Sequence, residues 1–220
     1  MSLVRFLKLH DWAMPPKKEK VQGVESQMNA RRWLVQERVK GACYPYRMGK
    51  EIGWTIYSPI NIEIFPVEEV QIKGSSEDVH EVGRMLGIDF WMARDNMFLG
   101  IKPAGWFQVQ QALVDGMWQG LFLPNGERTF EWRMGWGIEI PDDYVLLIQP
   151  LEGEENFVVH PGLLFAKSLA KFNQGLGFGI AFEPKRQHLI RKGDPLAKLL
   201  VFHKSALEIK EEIIERQESR

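Results

Sequence analysis

At 220 residues, with 45% hydrophobic and 26% charged side chains, the chain is long enough to form a globular domain with its own hydrophobic core. Its 28 basic and 29 acidic residues give a net charge of -1, which argues against attraction of the whole domain to nucleic acid or a membrane surface. The single cysteine, Cys43, excludes an internal disulfide framework and a cysteine metal cluster, so the composition favours a cytoplasmic protein.

The first 40 residues predict a basic N-terminal arm that precedes a β-rich domain over residues 41–204. They hold nine Lys or Arg residues against four acidic ones. Within them, "AMPPKKEKVQGVESQMNA" at 13–30 has few large apolar groups, a composition typical of a linker or an extended arm. A solvated extension is the favoured interpretation, and contact with an acidic partner is the alternative. No apolar run reaches the roughly 18 residues that cross a bilayer, so we expect no membrane partner.

The middle of the chain carries a strand signal and a helix signal. Ile60, Ile62 and Ile64 alternate with polar residues, which predicts a short strand with the isoleucines on one face. At 75–87, "SSEDVHEVGRMLG" has a capping serine, apolar residues at helical spacing and a final glycine, and it predicts a helix. Residues 98–123 fit either a helix or two short strands.

From residue 130 onward the sequence predicts strands separated by turns. Short β-branched or aromatic segments recur, and each is closed by Gly or Pro, which is typical of a β-sandwich or a barrel. The chain then changes character at residue 205. Ser205 and Glu208 have the spacing of a capping box, and "ALEIKEEIIERQ" contains good helix formers, so residues 205–220 are expected to contain a helix from about 206 to 217.

The chain contains eight tryptophans, which favour core or subunit-interface packing, with a stacking platform for a sugar or a base as the alternative. Trp132 and Trp136 are spaced by four, so one strand would place both on the same face. We take these two indoles as candidate ligand-binding residues. If their face is exposed, it is expected to be an oligomer contact.

The five histidines are scattered and show no paired metal-ligand spacing. His160, His188 and Glu183 are the residues that a β-barrel would have to gather for a non-haem iron site of two histidines and one carboxylate. Separate surface or half-buried histidines are the favoured interpretation, and no cofactor is expected.

The segment "LIRKGDPLAKLLVF" at 189–202 carries a family resemblance. With the preceding strands it resembles the second half of the dUTPase and dCTP-deaminase family, whose fold is called a β-clip. The turn Lys192-Gly193-Asp194 and the strand 197–202 resemble that family's last turn and strand, and the likeness covers about residues 138–203. It implies a mainly β, antiparallel clip or barrel core and a homo-oligomer, with a trimer as the plausible assembly. "CYPYRMGKEIGWTIYSPINIEI" also looks like uncharacterised bacterial and phage proteins.

The family's chemistry does not carry over with its fold. His160 stands where a dUTPase has its water-activating Asp, no Tyr follows it, and the family's phosphate-binding Arg-Ser pair is absent from "IQPLEGEEN". Resemblance to the deaminases places their catalytic carboxylate at Glu183. The first hypothesis is therefore a non-enzymatic, self-associating binding or structural protein on a dUTPase-like scaffold, with a viral origin expected.

The alternative hypothesis is an enzyme that acts on a nucleotide or a small molecule, as a nucleotide hydrolase or deaminase or as a metal-dependent oxygenase. Its candidate catalytic residues are His160, Glu183 and Asp194, and His188 joins the two indoles as a candidate ligand-binding residue. A cleft lined by residues 152–162 and 183–194 would favour this alternative.

Overall fold

The computed structural model describes residues 4–20, 44–88, 91–94, 96–101 and 105–214. Within these ranges the chain is mainly strand, and all strand pairs are antiparallel, so the predicted mainly β, antiparallel class is confirmed. No helix in the described ranges has both the length and the apolar composition that a bilayer span requires. Cys43 lies outside the described residues.

Two four-stranded sheets form the centre of the fold. Sheet I has the strand order Gly162–Phe165 (β14), Tyr144–Pro150 (β12), Pro195–His203 (β17) and Trp54–Tyr57 (β2). Sheet II has the order Phe157–Val159 (β13), Gly179–Pro184 (β15), Thr129–Arg133 (β10) and Phe122–Gly126 (β9).

Smaller elements surround the two sheets. Three two-stranded ribbons pair Arg5–Lys8 (β1) with Trp136–Glu139 (β11), Ile62–Ile64 (β3) with His188–Ile190 (β16), and Gln111–Val114 (β7) with Met117–Gly120 (β8). A three-stranded sheet contains Glu69–Ile72 (β4), Met97–Ile101 (β6) and Trp91–Arg94 (β5). The α-helices are Tyr44–Glu51 (α1), Ser76–Leu86 (α2) and Ala166–Leu169 (α3), and 3-10 turns follow at Ala170–Phe172 and Lys204–Leu207.

One hydrophobic core joins the two sheets, because alternate residues of each strand point inward. Trp132 is fully buried in sheet II, where its ring meets Phe122 at 4.8 Å and Phe182 at 5.1 Å between centroids. Sheet I contributes inward-facing aliphatic residues such as Leu146 and Leu199. The aromatic and aliphatic inner faces together exclude water from the centre of the domain.

The predicted helix at 75–87 and the predicted strand around Ile62 are both confirmed. Ser75 caps α2 in a complete capping box with Asp78, and Gly87 ends the helix with a φ of 65°. In the described part of residues 98–123 the structure contains strands and no helix, which is the strand alternative. Asp115 and Gly116, at φ values of 49° and 78°, form the tight turn between β7 and β8.

The described part of the predicted basic N-terminal arm belongs to the β-rich domain. β1 pairs with β11, and the ring of Phe6 meets Trp54 at 5.7 Å and Trp136 at 5.8 Å. Lys17 forms a bridge to Thr55. Contacts with partners far along the chain therefore override the linker-like local composition, and residues 21–40 of the predicted arm lie outside the described residues.

The predicted C-terminal helix over 206–217 is wrong in its described part. A short 3-10 turn ends at Leu207, and residues 208–214 have no regular secondary structure. Ile209, Ile213 and Ile214 are all more than three-quarters exposed, so no surface of the domain receives an apolar face. Good helix formers alone give a marginal helix at this length, because tertiary packing supplies most helical stability. Residues 215–220 lie outside the described residues.

Candidate functional site

Antiparallel pairing of β13 and β15 brings two of the predicted catalytic residues together. Val158 lies opposite Glu183, and the backbone N–H of His160 donates to the carbonyl of Ala181. His160 and Glu183 are therefore diagonal neighbours on one face of sheet II, the face opposite the core. Lys185 follows Glu183 by two residues and joins it on that face, since side chains alternate along a strand.

These three side chains, His160, Glu183 and Lys185, form what we call the Glu183 cluster. His160 Nε2 lies 2.9 Å from Glu183 Oε2, and Lys185 Nζ donates to Glu183 Oε1 at 2.6 Å. The Glu183 side chain is 11% exposed, whereas those of His160 and Lys185 are 42% and 45% exposed. A nearly buried carboxylate thus carries one nitrogen partner on each oxygen.

The environment of Glu183 keeps its carboxylate ionised. Burial by itself raises the pKa of this carboxyl, but hydrogen bonds and charge from Lys185 and His160 outweigh burial and hold the pKa below its ordinary value. A general acid needs the opposite shift, because it must hold a proton near the working pH. The cluster therefore has the chemistry of a structural ion pair that joins β13 to β15.

A second ion pair lies on the same outer face of sheet II. Glu131 is opposite Ala181 in the β10–β15 register, and its Oε2 accepts a hydrogen bond of 2.9 Å from Arg133 Nη2. Arg133 also donates to the carbonyl of Gly177 at 3.2 Å. This face thus carries two ion pairs, in contrast to the aromatic inner face.

The third predicted catalytic residue, Asp194, closes its own turn. Its Oδ2 accepts a hydrogen bond of 2.8 Å from the backbone N–H of Arg191, and Gly193 takes the positive φ of 92° that the turn requires. The turn is also bonded to Ser58, whose N–H donates to the Asp194 carbonyl. Asp194 thus positions the start of β17.

His188, a predicted ligand-binding residue, lies on β16 opposite Ile64 of β3, in a ribbon separate from the two strands that hold the Glu183 cluster. The described residues contain no group of three or more His, Cys, Asp or Glu side chains that could hold a metal ion. The hypothetical iron site of His160, His188 and Glu183 is therefore not assembled.

Trp132 and Trp136 belong to the core and do not form an exposed stacking platform. Both are fully buried. They also lie on different strands, β10 and β11, because Gly135 interrupts the chain between them with a φ of 76°. Trp136 stacks on Phe178 at 4.7 Å between ring centroids. An oligomer contact at these two residues would require an exposed face, and their side chains are not exposed.

Among the indoles of the described residues, that of Trp118 is exposed, and sequence reasoning did not single it out. It lies on β8 directly opposite Leu113 of β7, and it is 69% exposed. The Asp115-Gly116 pair between two apolar stretches was the available signal, because it is typical of a hairpin turn and fixes which side chains share a face.

Three of the cavities at the described surface have volumes of about 410, 420 and 490 Å³. The largest is lined by residues of the N-terminal turn and of the β7–β8 hairpin, including Trp118. Neither the Glu183 cluster nor Asp194 nor His188 lines any of these three cavities. The cleft that would favour an enzyme, lined by 152–162 and 183–194, is thus not among them.

No protein family model and no curated protein matches the chain. Among solved structures, it is similar to a mutant dUTPase from phage phi11 of S. aureus, with 12% identity, 99% coverage of both chains and a TM-score of 0.41. It is also similar to the Staphylococcus bacteriophage 80alpha dUTPase, with 12% identity, coverage of 100% of this chain and 99% of that chain, and a TM-score of 0.41. Both likenesses extend over the whole chain, beyond the last third to which the sequence resemblance points.

Proposed function

We propose that this chain is a non-enzymatic, self-associating binding or structural protein. The observation that supports the proposal is an apolar surface on the side of sheet I that faces away from the core. We call this surface the outer apolar face and define it by Leu147, Leu163, Phe165, Leu200 and Phe202.

The strand register places these five side chains in two neighbouring rows. Leu163, Leu147 and Leu200 lie opposite one another across β14, β12 and β17. The next row runs from Phe165 through Val145, which is fully buried, to Phe202 across the same strands. Residues between them in sequence, such as Leu146 and Leu199, point into the core, so both rows point outward.

A second copy of the chain is the partner that we propose for this face. Phe165 is 51% exposed and Leu163 is 39% exposed, and both lie on β14 at the edge of the sheet. Association removes such side chains from water, which stabilises a complex by about 25 cal/mol per Å² of apolar surface buried. A homotrimer is the assembly that the sequence resemblance implies, and the proposal includes it.

Sedimentation velocity of the full chain at micromolar concentration tests the proposal. We expect an oligomer for the unmodified protein and a shift to monomer for Phe165→Glu, because burying an unpaired carboxylate in an apolar contact is costly. Leu189→Glu is the matched control, since Leu189 is 46% exposed but lies on β16, outside the outer apolar face. A monomeric unmodified protein, or an oligomer that survives Phe165→Glu, would contradict the proposal.

The 2.9 Å contact between His160 and Glu183 favours one alternative, an enzyme that acts on a nucleotide or a small molecule. An assay of hydrolysis and deamination across nucleoside triphosphates tests this alternative directly. Turnover that Glu183→Gln abolishes, while the variant stays folded, would establish it. We expect no turnover, since the Glu183 side chain is only 11% exposed and the Glu183 cluster lines none of the three cavities.

A further inference from the structure

The largest of the three cavities has a distinctive set of lining residues. Its volume is about 490 Å³, and it lies between the N-terminal turn that follows β1 and the β7–β8 hairpin. The side chains that characterise it are His10, Asp11, Trp12, Gln110, Gln111 and Trp118. It therefore combines two indoles with carboxylate, imidazole and amide groups, over a floor that includes the buried aliphatic Leu121.

We propose that this cavity binds a neutral carbohydrate, with a pyranose ring stacked on an indole. A pyranose has an apolar face of C–H groups and a rim of hydroxyls. The indole of Trp118, 69% exposed, offers a flat apolar surface to such a face. Trp12 forms a fixed wall, because its ring stacks on His10 at 5.2 Å between centroids with an interplanar angle of 12°.

The polar groups of the cavity offer both hydrogen-bond acceptors and donors. His10 Nε2 lies 2.7 Å from the carbonyl oxygen of Gly175, which only accepts, so Nε2 carries the proton that this contact requires. Gln111 Nε2 donates to the carbonyl of Gln108 at 3.2 Å, which leaves its Oε1 as an acceptor and its second amide hydrogen as a donor. With the Asp11 carboxylate, these groups match a hydroxyl-rich ligand, because each hydroxyl both donates and accepts.

The charge of the cavity excludes an anionic ligand. No Lys or Arg is among its described lining residues, and its one ionised side chain, Asp11, is negative. A nucleotide would place its phosphates beside that carboxylate without a cation to neutralise them. The cavity thus favours a neutral, hydroxyl-rich ligand, and this site is separate from the outer apolar face on sheet I.

Saturation-transfer NMR on the full chain tests the proposal with simple probes. Methyl glucopyranoside, methyl galactopyranoside and N-acetylglucosamine are each presented at about 10 mM, which detects a Kd of about 1 mM. Choline and uridine are presented in parallel at the same concentration. We expect at least one pyranoside to bind through its C–H face and neither choline nor uridine to bind as tightly.

Four variants locate the binding. Trp118→Ala and Asp11→Asn are each expected to weaken it about fivefold or more, because one removes the stacking surface and the other a charged acceptor. Met117→Ala is the matched control, since Met117 is the equally exposed neighbour on β8 and does not line the cavity. Trp118→Tyr keeps an aromatic face and is expected to keep binding.

Each of four results would overturn the proposal. These are the absence of pyranoside binding, tighter binding of choline or uridine, binding that persists in both Trp118→Ala and Asp11→Asn, and an equal loss in Met117→Ala. Asp11 lies in an exposed turn, so Asp11→Asn gives a result even if Trp118→Ala destabilises the hairpin.

Discussion

Lys185 and Glu183 form a 2.6 Å ion pair although they are only two residues apart, because a strand places alternate side chains on one face. His160 completes the pair from the neighbouring strand. This arrangement makes the stability of the domain sensitive to the charge of one nearly buried carboxylate.

Glu183→Gln is expected to lower the free energy of unfolding by about 1–2 kcal/mol at pH 7, because it weakens two hydrogen bonds that the carboxylate accepts. The folded state lowers the pKa of Glu183, so this contribution is present above the ordinary value of 4.5 and is lost as the pH falls through the lower, folded-state pKa. Urea unfolding at neutral and at acidic pH measures the difference. Glu155→Gln, in the exposed pair with Arg186, is the control and should change little.

Trp132→Phe is expected to change stability by less than about 1 kcal/mol, whereas Trp132→Ala should cost about 3–5 kcal/mol. The indole N–H of Trp132 is buried and has no hydrogen-bond partner among the described residues, so its removal offsets part of the lost packing. Trp91→Phe is the contrasting variant, because the Trp91 indole donates to the carbonyl of Ile88 at 3.0 Å. Thermal unfolding of the three variants checks that Trp132→Phe lowers stability less than Trp132→Ala and less than Trp91→Phe, which removes a hydrogen bond.

Gly53→Ala is expected to destabilise the domain more than Gly153→Ala. Both glycines have a φ of 78°, so both substitutions bear the same left-handed strain, about 1–2 kcal/mol. A methyl group at Gly53 would also overlap the carbonyl oxygen of Leu199 and lie 2.6 Å from Leu200 Cδ2, whereas at Gly153 it meets no atom within 4 Å. Equal losses in the free energy of unfolding, measured with denaturant, would contradict this prediction and show that the atoms around Gly53 move aside for the methyl group at no cost.

Phe6→Ala is expected to cost about 2–4 kcal/mol, because the ring of Phe6 links β1 to the core through Trp54 and Trp136. Hydrogen exchange of β11 should speed up in this variant, since β1 supplies the ladder partners of that strand. Leu189→Ala is a suitable control, because that side chain is 46% exposed on β16 and lies outside the outer apolar face. Unchanged stability in Phe6→Ala would mean that β1 is dispensable.

Local signals in the sequence predicted the elements that local contacts stabilise. Helix α2 is one example, since Ser75 and Gly87 cap it through hydrogen bonds within a few residues. The prediction of a C-terminal helix was wrong because a good cap and good helix formers are insufficient without a surface that buries Ile209 and Ile213.

Local sequence patterns do not predict contacts between residues that are distant in the chain. His160 and Glu183 were both singled out from the sequence, but their meeting depends on the register of β13 with β15, which no local pattern states. The pairing of Arg5 with Glu139 likewise joins segments more than a hundred residues apart, so β1 looked like part of an arm. The exposure of Trp118 escapes prediction for a simpler reason, since residues 98–123 fit either a helix or two short strands and the side chains that share a face differ between the two.

Within the described ranges, the indole nitrogens of Trp106, Trp132 and Trp136 are buried without a hydrogen-bond partner, which has a spectroscopic consequence. Excited indoles that lack a hydrogen-bonding, reorienting solvent emit at short wavelength, so these three should dominate the blue side of the protein's intrinsic fluorescence. Trp118, the most exposed of the described indoles, should emit further to the red and be quenched by iodide more strongly than these three. The blue side of the emission therefore reports melting of the interior, and iodide quenching on the red side responds to occupancy at the hairpin.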